Sequence, residues 1–312
     1  MGTRTRTLVM AAMALMVPMT ALVSASPAMA EPKGIFKVFK ECPTEIPGLN
    51  LCSVDTTKSG EFKLGETAVP INKEIIQQGG FIKTGNPSQP REFFGLPAKN
   101  GESLSKTELN VPGGLLDIIK CEEIKGSGEI ETFFRELCKK TFEHGATEVT
   151  ATTELVANEK NPVIFNEFNL ATEKGTAIVL PLRIHLKNAL LGNSCYIGSE
   201  AEPLELHLTT GATSPPAGFK SIHGKLGEAE TLEETVEGEE LSSLRVTNNT
   251  LVDNTFPAPK AYECGEFFFI KGFLDSLVEG KLKIPNKAGE NTAILNGELR
   301  VAAASSVLFS EK

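Results

Sequence analysis

Strict alternation of apolar and polar positions is clearest in the second half of the chain. Ile178, Leu180, Leu182, Ile184 and Leu186 share one parity, and Arg183, His185 and Lys187 take the other. Residues 203–209 repeat the pattern, with Leu204, Leu206 and Leu208 set against Glu205, His207 and Thr209. Residues 148–157 carry a weaker version: Val149, Ala151 and Leu155 against Glu148, Thr150, Thr152 and Glu154. One apolar and one polar face per strand predicts antiparallel sheet with a solvated side. Shorter apolar runs at 244–246, 267–270, 281–284 and 299–303 read as further strands. Between them, residues 209–218 read as a loop. The seven glutamates within Glu228–Glu240 read as a solvated loop or short helix.

The first half shows short extended runs cut by turn residues: 35–39, 62–64 before Gly65, and 69–71 around Pro70. Residues 84–101 hold three prolines and three glycines and read as a loop, pinned to the core by Phe93 and Phe94. Helical periodicity is concentrated in 127–144. Ile130, Phe133, Phe134, Leu137, Cys138 and Phe142 form one apolar stripe there, with Glu129 and Glu131 early and Lys139 and Lys140 late. The predicted fold is mainly β: an antiparallel sandwich or open barrel with one local helical insertion, stapled by disulfides. We divide the chain into residues 1–30, an N-terminal β-rich region ending in a helix (31–145), and a C-terminal antiparallel β region (146–312).

Residues 1–30 read as a cleaved export signal. Arg4 and Arg6 precede an apolar run from Leu8 to Val17, then Pro18, with Ala28 and Ala30 at the −3 and −1 positions before Glu31. The run is too short for a ~30 Å membrane span, and Cys42 lies too far along to carry a lipid at the new terminus. The expected product is a released extracellular protein, or one held to the cell envelope by non-covalent contacts, with no transmembrane segment.

Export changes how the cysteines read. Cys42, Cys52, Cys121, Cys138, Cys195 and Cys264 lack the C-x-x-C spacing of redox and zinc sites, and an even count in an exported chain implies disulfides. Six cysteines allow fifteen connectivities; nearness along the chain favours 42–52, 121–138 and 195–264. On the loop-entropy argument the two short staples contribute about 3 kcal/mol each and the long one about 4.

Without Arg4 and Arg6, 29 basic residues face 40 acidic ones, a net charge of −11 that disfavours phosphate-backbone binding, so no nucleic-acid partner is expected. Aromatic usage is skewed to eighteen Phe, two Tyr and no Trp, which fits core packing better than a sugar-stacking face or the aromatic girdles of a membrane barrel. No Walker, Rossmann, G-x-S-x-G or H-E-x-x-H motif occurs, and no cofactor or metal is implied.

Three residues stand out as polar-face candidates. His185 and His207 lie at outward positions of alternating strands that an antiparallel pairing could bring together, and with Glu205 they could bind a metal or form an acid/base couple. The plainer reading is a solvated strand face. His144 and His223 have less context. The run 267–274, FFFIKGFL, reads as core, or as the lining of an apolar ligand cavity.

The segments LLGNSCYIGS (190–199), LTTG (208–211), NTLVDNTFPAP (249–259) and NTAILNGEL (291–299) give the chain a resemblance to secreted proteins of soil actinobacteria that have no established function. The likeness covers roughly residues 147–310 and, more loosely, the N-terminal half. It departs at YECGEFFFI (262–270), where the group has plainer glycine-rich surroundings to its last cysteine. The resemblance implies export and transfers no functional residue. The expectation from sequence is therefore a secreted or cell-envelope β-scaffold that binds or structures something without turnover. An apolar-ligand (lipid) carrier and an exported hydrolase are the alternatives.

Overall fold

The computed structural model describes residues 31–114, 120–124, 126–143, 147–265 and 268–312, so the expected export signal (1–30), His144 and Phe267 lie outside the described residues. Glu31–Lys312 forms one compact unit. In chain order the strands are β1 (Leu51–Leu64), β2 (Thr67–Ile71), β3 (Ile75–Lys83), β4 (Glu92–Leu96), β5 (Leu109–Asn110), β6 (Thr150–Leu155) and β7 (Ile164–Asn166). They continue as β8 (Ile178–Asn188), β9 (Gly192–Ile197), β10 (Leu204–Leu208), β11 (Glu228–Val236), β12 (Glu239–Asp253), β13 (Ala261–Tyr262) and β14 (Thr292–Ala303). Among the described residues four α-helices accompany them: α1 (Glu129–Glu143), α2 (Glu167–Thr172), α3 (Phe268–Leu282) and α4 (Ala304–Ser310).

All fourteen strands join one antiparallel sheet whose main path runs β11-β12-β14-β1-β3-β4-β7-β8-β6-β5, with β2 beside β1, β10 and β9 beside β8, and β13 beside β9. β1 therefore lies between β3 and β14, and the N- and C-terminal regions share the sheet. The three-residue β7 is the hinge of the architecture. On one side of it the β11-to-β4 strands form a layer; on the other, β8 carries β6, β9 and β10. The two layers face each other, since residues of β1, β3 and β14 and residues of β6, β8 and β10 line the same interior cavity.

The alternation of β8 is realised as expected: Ile178, Leu180, Leu182, Ile184 and Leu186 are all buried, and Leu204, Leu206 and Leu208 of β10 pack with them. Burying each such side chain is worth roughly 1.5–3 kcal/mol. A second, smaller core lies on the outer face of β1, where Phe36 and Phe39 cover Cys52, Ala302 and Val307. All three disulfides join the cysteines that nearness along the chain favours: Cys42–Cys52, Cys121–Cys138 and Cys195–Cys264. The first ties β1 to the segment before it, the second ties α1 to the turn Cys121–Glu123, and the third ties β9 to the lead-in of α3.

Five local expectations are corrected. Residues 35–39 form part of a 3-10 helix, Gly34–Phe39, whose three-residue period puts Phe36 and Phe39 on one buried side. Residues 268–270 and 281–282 belong to α3, where Leu274, Val278 and Leu282 repeat every four residues and are buried; a short apolar run cannot by itself distinguish helix from strand. The loop 84–101 contains β4, which buries Phe93 but leaves Phe94 well exposed. In α1, Phe134 and Cys138 are buried but Phe133 is largely exposed. The acidic run Glu228–Glu240 is neither loop nor helix but the β11–β12 hairpin, closed by Glu237 and Gly238, both at positive φ as a type I′ turn requires. Its glutamates line an exposed edge strand, where charge discourages pairing with another chain. No helix among the described residues is long and apolar enough to cross a membrane.

Candidate functional site

β1 carries an unusual pattern. Its outer face is covered by the small core around Phe36, while Ser53, Asp55 and Thr57, the polar parity, turn inward and are buried. The ladder breaks between Thr57 and Ser59, where Lys58 is the extra residue of a β-bulge opposite β14. The bulge shifts the parity, so that Phe62 and Leu64, of even number, take the inward positions beyond it. One strand thus presents a polar half and an apolar half to the interior.

Opposite Asp55 in the ladder is Gln77 of β3, and Thr153 of β6 faces them from the other layer. The side chains of Ser53, Asp55, Thr57, Gln77 and Thr153 border two adjoining spaces. Outermost is a cleft of about 820 Å³ between β3, β4, the segment 97–106 and the segment 155–163. Behind it lies a cavity of about 60 Å³ lined by Asp55, Thr57 and a ring of leucines and isoleucines. The two share Gln77, Leu104 and Thr153. A third space, about 50 Å³ and wholly apolar, shares Phe62, Leu109 and Thr153 with the second. The sequence runs inward from polar cleft to carboxyl-bearing chamber to apolar end.

Burial pushes the Asp55 carboxyl up to about 7, opposed weakly by the backbone N–H of Thr56. Asp55 is the one charged side chain lining either interior cavity. No family, characterised protein or solved structure matches this chain. The site therefore has to be read from its own groups.

At the rim, Glu154 and Arg183 line the cleft and hold each other through a 2.7 Å contact between Oε2 and Nε. The second oxygen of Glu154 meets His185 Nδ1 at 3.1 Å, and His185 Nε2 lies 2.9 Å from the Asn193 carbonyl. His185 stacks on Tyr196, which stacks on Tyr262, and the Arg183 guanidinium sits 4.3 Å above the Tyr196 ring. Both tyrosines of the chain are spent here. Burial and the nearby charge of Glu154 push the Tyr196 phenol up, keeping it neutral.

The sequence-derived candidates separate. β8 and β10 do pair antiparallel, but the register sets His207 against Val179, six residues or roughly 20 Å along β8 from His185. Glu205 reaches His207 Nε2 at 2.8 Å on a half-exposed face, so that pair is joined to neither His185 nor the cleft. Among the described residues no group of three or more His, Cys, Asp or Glu could hold a metal ion. Sequence reading missed Asp55 and Gln77 because no clean alternation marks their strands, and Thr153 because it sits as a neutral residue on the apolar parity of Val149, Ala151 and Leu155. The hint available was the low count of aspartates, four in the chain, one of them within a stretch long enough to be a central strand.

Proposed function

We propose that the chain is an exported, disulfide-stapled β-scaffold that binds a slender amphiphile between its two layers without turning it over. The observation that carries this reading is the shared lining of the cleft and two interior cavities, graded from polar to apolar. Three disulfides and the actinobacterial resemblance support the extracellular setting, with cleavage after Ala30. The polar groups of the rim are committed to one another: Glu154 binds Arg183 and His185, and both His185 ring nitrogens face acceptors. That arrangement favours holding over chemistry.

The deciding experiment incubates the disulfide-intact protein with isolated cell walls and membranes. Sedimentation, released fragments and organic-extractable bound material are then assayed together. Bound amphiphile without released fragments is expected. Fragments lost on His185→Ala would instead establish a hydrolase, and sedimentation with nothing extractable would establish an envelope binder acting through its surface.

A further inference from the structure

The reading above leaves the ligand's polar end unspecified, and the interior supplies it. Ser53, Asp55, Thr57, Gln77 and Thr153 border the cleft or the middle cavity, and among the described residues their side chains form no hydrogen bond beyond the one Asp55 accepts from the Thr56 backbone N–H. Asp55 is the decisive group. Its residue is 9% exposed, it faces a cavity otherwise lined by neutral side chains, and the backbone N–H of Thr56 is its one hydrogen-bond partner. A buried carboxylate without a counter-charge is costly, and a cation that enters with the correct shape removes that cost.

We propose, resting on the amphiphile reading, that the ligand is an apolar primary amine whose ammonium group pairs with Asp55 while its alkyl chain occupies the apolar end. An ammonium offers three N–H donors, and the Asp55 carboxylate, the Thr57 hydroxyl and the Gln77 amide carbonyl are acceptors bordering one space. The apolar end, with Phe62, Leu64, Val69, Ile184 and Leu186, has no polar group other than threonine hydroxyls. At about 50 and 60 Å³ the two chambers admit a single chain of only a few carbons, not a branched or ring system. The approach is compatible in charge: Glu102, Glu154 and Glu159 border the cleft against Lys106 and Arg183, and Arg183 is neutralised by Glu154. A fatty acid would place its carboxylate against Asp55 and is disfavoured.

Asp55 titrates near neutrality when empty, which gives the pairing a pH signature. The ligand amine is charged throughout, so its affinity falls as pH drops below about 7 and Asp55 takes up a proton. Of the other titratable groups bordering the path, Glu102, Glu154, Glu159, Lys106 and Arg183 all lie in the cleft; none lines the cavity of Asp55.

Titration calorimetry on the disulfide-intact protein with butylamine, butanol and butanoate tests this at pH 6 and 8. Butylamine is expected to bind roughly tenfold or more tightly than butanol at pH 8, to weaken at pH 6, and to lose its advantage in Asp55→Asn, which keeps the side chain's shape. Butanoate is expected to bind weakest. Equal binding of butylamine and butanol, or an amine preference retained in Asp55→Asn, would overturn the head-group assignment and leave the amphiphile reading standing. Binding of none of the three at either pH would overturn both.

Discussion

Two carboxylates make opposite demands on solution pH. Asp55 is held near 7 by burial, so the folded protein binds a proton that the unfolded chain releases at about 4. Its contribution is favourable below the unfolded value and fades as pH rises from about 4 to about 7, a loss on the order of 4 kcal/mol at most. Urea denaturation of the ligand-free protein at pH 5 and pH 8 should show this decline. Asp55→Asn should flatten it and exceed wild type in stability at pH 8. Glu298 works the other way. Hydrogen bonds from Arg245, at 2.8 and 3.0 Å, and from Lys58, at 3.1 Å, hold its carboxyl down at about 2 against the burial that raises it. Its stabilisation is present above the usual carboxylate range and disappears as pH falls toward 2. Glu298→Gln should remove that acid-side loss, seen as a smaller drop in denaturation midpoint between pH 5 and pH 2.5.

At the scale of elements, β14 is flanked by two irregular strands. Lys58 bulges from β1 and Asn248, at positive φ, from β12, and both irregularities meet at Gly297, which pairs with Thr57 on one side and Asn249 on the other. A Cβ at 297 would strike the Thr56 carbonyl oxygen, so the backbones approach as closely as only glycine allows. Gly297→Ala should therefore cost roughly 2–4 kcal/mol, measured as a lower denaturant midpoint, a large effect for one methyl. These elements also show what the sequence makes legible. β8 was readable because its alternation runs uninterrupted through a strand with one polar face. α1 was readable because its stripe and terminal charges agree. α3 was not, because Lys271 and Gly272 break its apolar run into pieces of strand length. β11 was not, because on this largely exposed edge strand only Leu232 and Val236 mark the half-covered parity, with Glu234 between them. β1 was not, for a third reason: both of its faces are buried, so no apolar parity marks Ser53, Asp55 and Thr57 as the residues that line the interior.

For the whole molecule, the cysteine pairing followed from nearness along the chain, whereas the site did not, because Asp55 and Gln77 meet through the β1–β3 ladder and Thr153 joins them only when the second layer faces the first. Replacing both Cys195 and Cys264 by Ala should cost about 3–5 kcal/mol and release the lead-in of α3 first, visible as faster amide exchange in 260–282 than in β8. The interleaved strand order carries a further consequence, one of time. Lys58 and Glu298, 240 residues apart, meet across neighbouring strands. A growing chain makes β14 long after β1, so through that interval β1 waits with one edge unpaired, even once β6, β8 and β10 have covered its polar inner row. Only β14 closes that edge. Completion of the sheet is thus gated by β14, and a release of the chain before residue 292 should yield aggregating, protease-sensitive material instead of a smaller folded protein.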